Sequence, residues 1–169
     1  IPKMLPQLDV TNLSIIGSRI KRLTNIKNKG ILLRVMHGDI YSGTRLKKFG
    51  MTESDTCPRC GESEDINHQI MNCPYTKVIW DIVSFITGIP HSNLSTILGN
   101  DIRHNKASLA LNAEIIKILL AIDRPTQNQG QIILKILERL SYMEKGVSKY
   151  ECKQLIKQLN THLTFAGSS

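Results

Sequence analysis

Long apolar runs are missing from this 169-residue chain. A membrane-spanning helix needs about eighteen consecutive apolar residues, and the best candidate, Val78 to Ile89, is shorter and is interrupted by Asp81. The chain also opens without a secretory signal and without methionine. We therefore expect a piece of a longer protein that has no membrane partner and is long enough to bury a real core.

Cysteine is scarce, and its placement is uneven. Three of the four cysteines lie between Cys57 and Cys73. A disulfide framework is disfavoured, because three cysteines leave one unpaired and give no role to His68. So few cysteines suit a reducing compartment, and we expect an intracellular location.

Acidic residues are rare at the front of the chain. Residues 1–50 hold only Asp9 and Asp39, whereas the net charge of the whole chain is +8. The cations of this segment are Lys3, Arg19, Lys21, Arg22, Lys27, Lys29, Arg34, Arg45, Lys47 and Lys48. Such asymmetry is typical of proteins that bind a polyanion, most often nucleic acid. The alternative is a basic, solvated face kept for solubility.

A metal-ligand pattern occupies the middle of the chain. Cys57, Cys60, His68 and Cys73 follow the spacing C-x2-C-x7-H-x4-C, which is the ligand set of a closed tetrahedral zinc site. Gly61 permits a positive φ directly after the first cysteine pair. With four protein ligands no position is open for water, so we predict one structural zinc ion.

The second ligand pair is predicted on a short helix that begins near Asp65, whose carboxylate can cap the first turn. His68 and Cys73 are five residues apart, which is about 140° around a regular α-helix. The helix must therefore end just before Cys73. Pro74 favours this ending, because it disfavours the α conformation in the residue before it.

Apolar periodicity elsewhere predicts helices, and no stretch has the alternation of a strand. A first amphipathic helix is predicted from Asp9 to about Gly30, a second over Ile31–His37 up to Gly38, and a short third over Thr44–Phe49 with Leu46 and Phe49 buried. Tyr75–Thr87 is predicted as the helix after the zinc motif, and the lone Trp80 should pack the zinc lobe against its neighbours. The fold class is therefore all-α, a small helical domain around one Cys3His zinc knuckle.

The pattern predicts four regions. These are a basic amphipathic helical segment (1–50), a zinc-binding lobe with its following helix (51–90), a polar linker (91–105) and a C-terminal helical bundle (106–166). Three helices are expected in the bundle, marked by Leu111 to Ile122, Ile132 to Met143 and Cys152 to Leu163. Cys152 is expected to be a buried apolar residue there.

The stretch from Leu33 to Trp80 resembles the zinc-binding region found downstream of the reverse transcriptase in LINE-type (non-LTR) retrotransposon polyproteins. The motifs that carry the likeness are Arg34 with Gly38, Leu46, Cys57-Pro58-x-Cys60-Gly61, the acidic stretch from Glu62 to Asp65, His68, Cys73-Pro74 and Ile79-Trp80. The resemblance covers about fifty residues, and it gives a role, zinc ligation, only to the four Cys and His residues.

The resemblance implies a part of a protein that nicks a chromosomal target and copies its own RNA from the exposed 3′ end. Such a region is expected to help hold template RNA or target DNA, in the nucleus when it is engaged on DNA, and to contact the rest of its own polyprotein. Our candidate nucleic-acid contacts come from the charge pattern alone, and they are Arg19, Lys21, Arg22, Lys27, Lys29, Arg34, Arg45, Lys47 and Lys48.

Catalysis by this chain is not expected. The acids near the zinc motif lack the strand-and-turn frame of a polymerase site. Asp101, Glu114 and Lys117 are the only weak candidates for a nuclease site, but an exposed ion pair three residues apart on a helix explains Glu114 and Lys117 more simply. A second hypothesis is a protein-interaction module, in which the apolar stripe from Leu13 to Leu23 packs against the polymerase domain or a host protein.

Overall fold

The structure, a computed structural model, describes residues 10–40, 42–57, 60–101, 103–121, 153–154, 156–158 and 160–161. Within these ranges the chain is helical without a β-strand, which confirms the all-α prediction. Its elements are α1 (Val10–Lys21), α2 (Ile26–Met36), α3 (Gly43–Lys48), a π-helical turn (His68–Asn72), α4 (Pro74–Thr87), α5 (Leu94–Ile97) and α6 (Lys106–Ala121). No helix in the described part of the chain has the length and apolar character needed to cross a membrane.

The first two helices are divided at a different place from the one predicted. α1 ends at Lys21 and α2 begins at Ile26, so the predicted boundary at Gly30 is wrong. The side chain of Asn25 accepts a hydrogen bond from the Asn28 N–H at 3.0 Å and starts α2 as its N-cap. Glycine inside a helix costs only about 1 kcal/mol relative to alanine, which packing can offset. Gly38, at φ 69°, follows the end of α2 as predicted.

One apolar core joins elements from both ends of the described chain. α6 packs against α2 and the π-helical turn, and α1 packs against α2. Members of this core that are fully buried include Ile16, Leu32, Val35, Ile70, Ile79, Val83, Leu94, Ile97, Leu98, Leu111, Ile115 and Ile116. The metal-binding segment and α6 therefore share a core.

Residues 91–105 contradict the prediction of a polar loop or linker. They contain α5, which begins with a reciprocal cap between Asn93 and Thr96, and Leu98 directly after it is fully buried. His91 and His104 are also buried, because they find partners inside the fold. The Nε2 atom of His104 lies 2.7 Å from the Thr96 carbonyl oxygen, and that of His91 lies 3.2 Å from Asn112 Oδ1.

The C-terminal prediction is confirmed for its first helix. α6 covers the residues marked by Leu111, Ile115 and Ile118. Residues 153–154, 156–158 and 160–161 have helical backbone, and Ile156 packs against the core. The predicted helix from Ile132 to Met143 and the position of Cys152 lie outside the described residues.

Candidate metal centre

The first two ligands lie on a tight loop. The Gly61 N–H donates to the Cys57 carbonyl oxygen at 2.9 Å, and the Cys57 N–H donates to the Glu62 carbonyl oxygen at 2.6 Å. Gly61 has φ 82°, which confirms the predicted positive φ. An isolated antiparallel bridge between Thr56 and Ser63 closes the loop. The backbone therefore holds Cys57 and Cys60 close together.

The second ligand pair depends on the π-helical turn. Asp65 Oδ1 accepts from the His68 N–H at 2.8 Å, which is the predicted cap. The Cys73 N–H donates to the His68 carbonyl oxygen at 3.1 Å, a bond that spans five residues. This wider turn brings Cys73 back over His68, whereas a regular α-helix would place them about 140° apart. Asn72 ends the turn, and Pro74 begins α4.

The four ligand atoms converge as a tetrahedral site requires. The sulfurs of Cys57 and Cys73 are 4.0 Å apart, and Cys60 Sγ lies 3.1 Å from His68 Nε2. All four ligand atoms lie within 4.8 Å of one another. Zinc–sulfur bonds of about 2.3 Å at tetrahedral angles place two sulfurs about 3.8 Å apart. The residues present therefore fit one zinc ion.

Burial identifies this zinc as structural. Cys57 is 2 % exposed, Cys73 is fully buried, and His68 is 8 % exposed, whereas Cys60 is partly exposed. A closed Cys3His set leaves no coordination position for a reacting water. The ion would link a loop to the π-helical turn, so folding of this segment is coupled to metal binding.

Trp80 connects the metal-binding segment to the core, as the sequence predicts. Its indole N–H donates to the Ile70 carbonyl oxygen at 2.7 Å inside the π-helical turn. Its ring stacks on His91, with the centroids 5.7 Å apart and the planes 15° from parallel. Because Trp80 is 1 % exposed, it has a packing role and is not a surface stacking residue.

The candidate nucleic-acid contacts fall into two groups by position. Arg19 is partly buried, and its guanidinium donates to the carbonyl oxygens of Gly99 and Asp101, so it joins α1 to the segment before α6. The others lie on α1, α2, α3 or directly after α1. Of these, Lys21, Arg22, Lys27, Arg34, Lys47 and Lys48 are exposed, and Lys29 and Arg45 are partly exposed.

One acid lies among these cations. Arg45 Nη1 is 2.8 Å from Asp39 Oδ1, and Arg34 Nε is 4.0 Å from Asp39 Oδ2. The hydrogen bond from Arg45 lowers the pKa of Asp39 below its usual range. The carboxylate is therefore ionised at neutral pH and offsets part of the positive charge between α2 and α3.

The candidate nuclease residues have structural partners. Glu114 Oε1 lies 2.6 Å from Lys117 Nζ, so the predicted ion pair is present, but Glu114 is buried and the pair is not exposed as predicted. Asp101 accepts from the Arg103 guanidinium, and this hydrogen bond holds the pKa of Asp101 far below its usual range. Ion pairing thus accounts for all three candidate residues.

Sequence reasoning missed one exposed ring. The sequence predicts that Phe49 is buried, but the residue is 56 % exposed. α3 ends at Lys48, so Phe49 follows the C-terminal end of the helix and its ring is exposed to solvent. The proximity of three cations in the stretch from Arg45 to Lys48 is the signal that could have placed this segment at the surface.

Comparison with known families agrees with this centre. Residues 18–80 match a family model described as zinc-binding in reverse transcriptase. The match includes all four ligands and Trp80, and it confirms the resemblance to a reverse-transcriptase zinc-binding domain. No curated protein and no solved structure matches the chain.

Proposed function

We propose that this chain, whose residues 18–80 match the zinc-binding domain of reverse transcriptases, is a nucleic-acid-binding module from the C-terminal part of a non-LTR retrotransposon enzyme. It would help hold template RNA or target DNA during target-primed reverse transcription. In this proposal the chain binds and positions nucleic acid without catalysing a step. The parent protein would act in the nucleus when it is engaged on target DNA.

The observation that carries the proposal is the connection between α3 and the metal-binding loop. The Thr44 N–H in the first turn of α3 donates to the Glu64 carbonyl oxygen at 2.8 Å. Glu64 lies between the ligands Cys60 and His68, and its own N–H donates to the Asp55 carbonyl oxygen at 2.8 Å. Zinc would thus fix the direction of a helix whose last turn carries Arg45, Lys47 and Lys48.

Charge supports a polyanionic ligand. Among the described residues from 10 to 50, which contain these lysines and arginines, the only acid is Asp39, and it is already paired. Cations of this kind meet phosphates, which gives affinity with little sequence preference and a steep dependence on salt.

The apolar surface that the interaction-module alternative requires is buried within the chain itself. Ile16, Ile20 and Leu23 are buried in the chain's own core, and Leu13 packs against it. The apolar stripe of α1 is therefore occupied by contacts within the chain. A docking function would have to use other residues.

The test compares two sets of lysines in the intact chain. Replacing Lys21, Lys47 and Lys48 with glutamine should weaken binding of RNA or single-stranded DNA and reduce the salt slope, d log K/d log[salt], by about 2 for three lost phosphate contacts. The control replaces Lys106, Lys153 and Lys157, three exposed lysines outside this basic region, and makes the same change in net charge. The measurement is fluorescence anisotropy with RNA, single-stranded DNA and nicked duplex at several salt concentrations.

The proposal requires that the first set of replacements weakens nucleic-acid binding more than the control set does. Equal losses in both would indicate a general charge effect. Unchanged affinity in the first set would overturn the proposed contacts.

A further inference from the structure

Phe49 is an exposed aromatic ring with no role so far, and it directly follows the proposed nucleic-acid contacts Lys47 and Lys48. We propose that the C-terminal end of α3 is a stacking site for an unpaired base of single-stranded nucleic acid. Phe49 would be the platform, and Lys47 and Lys48 would contact the neighbouring phosphates. This inference rests on the proposed function and names the form of nucleic acid that the module would take.

Phe49 is exposed to solvent, where an aromatic ring is unusual. The residue is 56 % exposed, and Met51 two residues later is 68 % exposed. Exposing an aromatic ring to water is unfavourable, and nearby apolar side chains usually bury it. In single-strand-binding proteins, exposed rings of this kind carry stacked bases, since every base has a π face.

The backbone holds this ring in a defined place. α3 ends in a Schellman motif, in which the Gly50 N–H donates to the Lys47 carbonyl oxygen at 3.0 Å and the Met51 N–H donates to that of Leu46 at 2.9 Å. Gly50 has φ 71°, a conformation that the motif requires and glycine adopts without strain. The ring is therefore attached to a closed helix end whose other end bonds to the zinc loop.

Arg45 contacts one side of the Phe49 ring. Its guanidinium carbon lies 5.5 Å from the centroid of the Phe49 ring, within the range of a cation–π contact. The same guanidinium bonds to Asp39, so it is held from two directions. More than half of Phe49 remains exposed beside this contact, which leaves area for a planar ligand.

The positive charges beside Phe49 favour a nucleic-acid ligand. Lys47 and Lys48 come directly before Phe49 in sequence and are exposed. Neither lysine takes part in the ion pairs found among the described residues. An apolar ring flanked by cations is complementary to a base flanked by phosphates. A duplex hides the faces of its bases inside the stack, so this surface distinguishes single strands from duplexes.

The experiment uses the intact, zinc-loaded chain and two alanine variants. Phe49→Ala removes the proposed platform, and Phe85→Ala removes a second exposed phenylalanine, which lies on α4 and is 77 % exposed. The probes are a twelve-nucleotide oligothymidylate, a duplex of equal length and an abasic strand of equal length. Zinc content and the thermal transition of both variants should match the parent chain, because neither side chain is buried.

Phe49→Ala should weaken oligothymidylate binding about tenfold, the loss of one stacked base. Its affinity for the duplex and the abasic strand should stay within twofold, and its salt slope should not change. Phe85→Ala should leave all three affinities unchanged. Phe49→Trp should restore binding, and its added fluorescence should be quenched by oligothymidylate, with the parent chain, whose tryptophan is Trp80, as the baseline.

Three outcomes would overturn the inference. They are equal affinity of the Phe49→Ala variant for oligothymidylate, equal losses on single strand and duplex, and loss of protein self-association without loss of nucleic-acid binding. The lysine variants separate this failure from failure of the proposed function. If they lose affinity while Phe49→Ala does not, the module binds nucleic acid and the stacking site is wrong.

Discussion

The metal-binding loop and α6 keep their shapes by different means. Among the described residues from 51 to 65, only Cys57 and Glu64 are buried. In α6, by contrast, all residues from 111 to 116 are buried. Apolar burial contributes about 25 cal/mol per Å², and the loop has almost no such area. The comparison indicates that zinc binding stabilises the fold of the loop, whereas apolar packing stabilises α6.

Removing a ligand should give the largest effect and should act on the loop first. Cys60→Ala is suited to this test because Cys60 is partly exposed and outside the apolar core. We expect loss of the bound zinc and loss of hydrogen-exchange protection in residues 55–73, because structural zinc sites contribute ~10 kcal/mol to the folding of small domains. α6 should keep most of its protection.

Cys152→Ala is the matched control, since it removes the one cysteine outside the motif. Its zinc content, measured by elemental analysis, should equal that of the parent chain at about one ion. A Cys60→Ala protein with unchanged zinc content and an unchanged thermal transition would contradict the assignment of this centre.

Truncating a core residue should give a smaller effect and should act on the helices. Ile115→Ala removes a fully buried side chain of α6, outside the residues that match the zinc-binding family. The expected loss is about 2–4 kcal/mol in the free energy of unfolding, from lost burial and a cavity. Chemical denaturation in excess zinc measures it.

Ile26→Ala provides the comparison for this variant. Ile26 is 83 % exposed at the start of α2, and its truncation should change the free energy of unfolding by less than about 0.5 kcal/mol. If Ile115→Ala cost no more than Ile26→Ala, α6 would not belong to the same cooperative unit as α2.

The metal centre could be predicted from the sequence because its determinants are local. Four ligands, the Asp65 cap and the break at Pro74 lie within eighteen residues, and each follows from backbone geometry. The break between α1 and α2 was misplaced at Gly30, since apolar spacing continues through both helices. Thr24-Asn25 carried the cap signal that would have corrected it.

Contacts between distant residues could not be predicted in the same way. The charge pattern predicts that Arg19 contacts nucleic acid, yet its guanidinium bonds to carbonyl groups about eighty residues away in the same chain. The polar composition of residues 91–105 predicts that His91 and His104 lie in a linker, yet they form hydrogen bonds with Asn112 and Thr96 inside the fold. A sequence alone predicts that polar residues are exposed, because it does not show hydrogen-bond partners that are distant in the chain.

The buried histidines lead to the prediction with the smallest effect near neutral pH. Burial lowers the pKa of His104 from 6.5 to about 4 and also lowers that of His91, whose ring lies 5.6 Å from that of His104. Asp101 opposes the shift at both rings, and Arg19 adds to it at His104. The unfolded chain therefore binds these protons more readily than the folded chain.

Stability should accordingly be complete above pH 6.5 and should fall as the pH drops toward 4, by at most about 1.4 kcal/mol per pH unit for each histidine. Acid also releases zinc by protonating its ligands, so zinc content must be followed at each pH. His104→Gln removes one titrating group, and its unfolding free energy should depend less on pH than that of the parent chain while zinc remains bound. An identical pH dependence, or an NMR titration of the His104 ring with a midpoint near 6.5, would show that α5 and α6 do not exclude water from this ring.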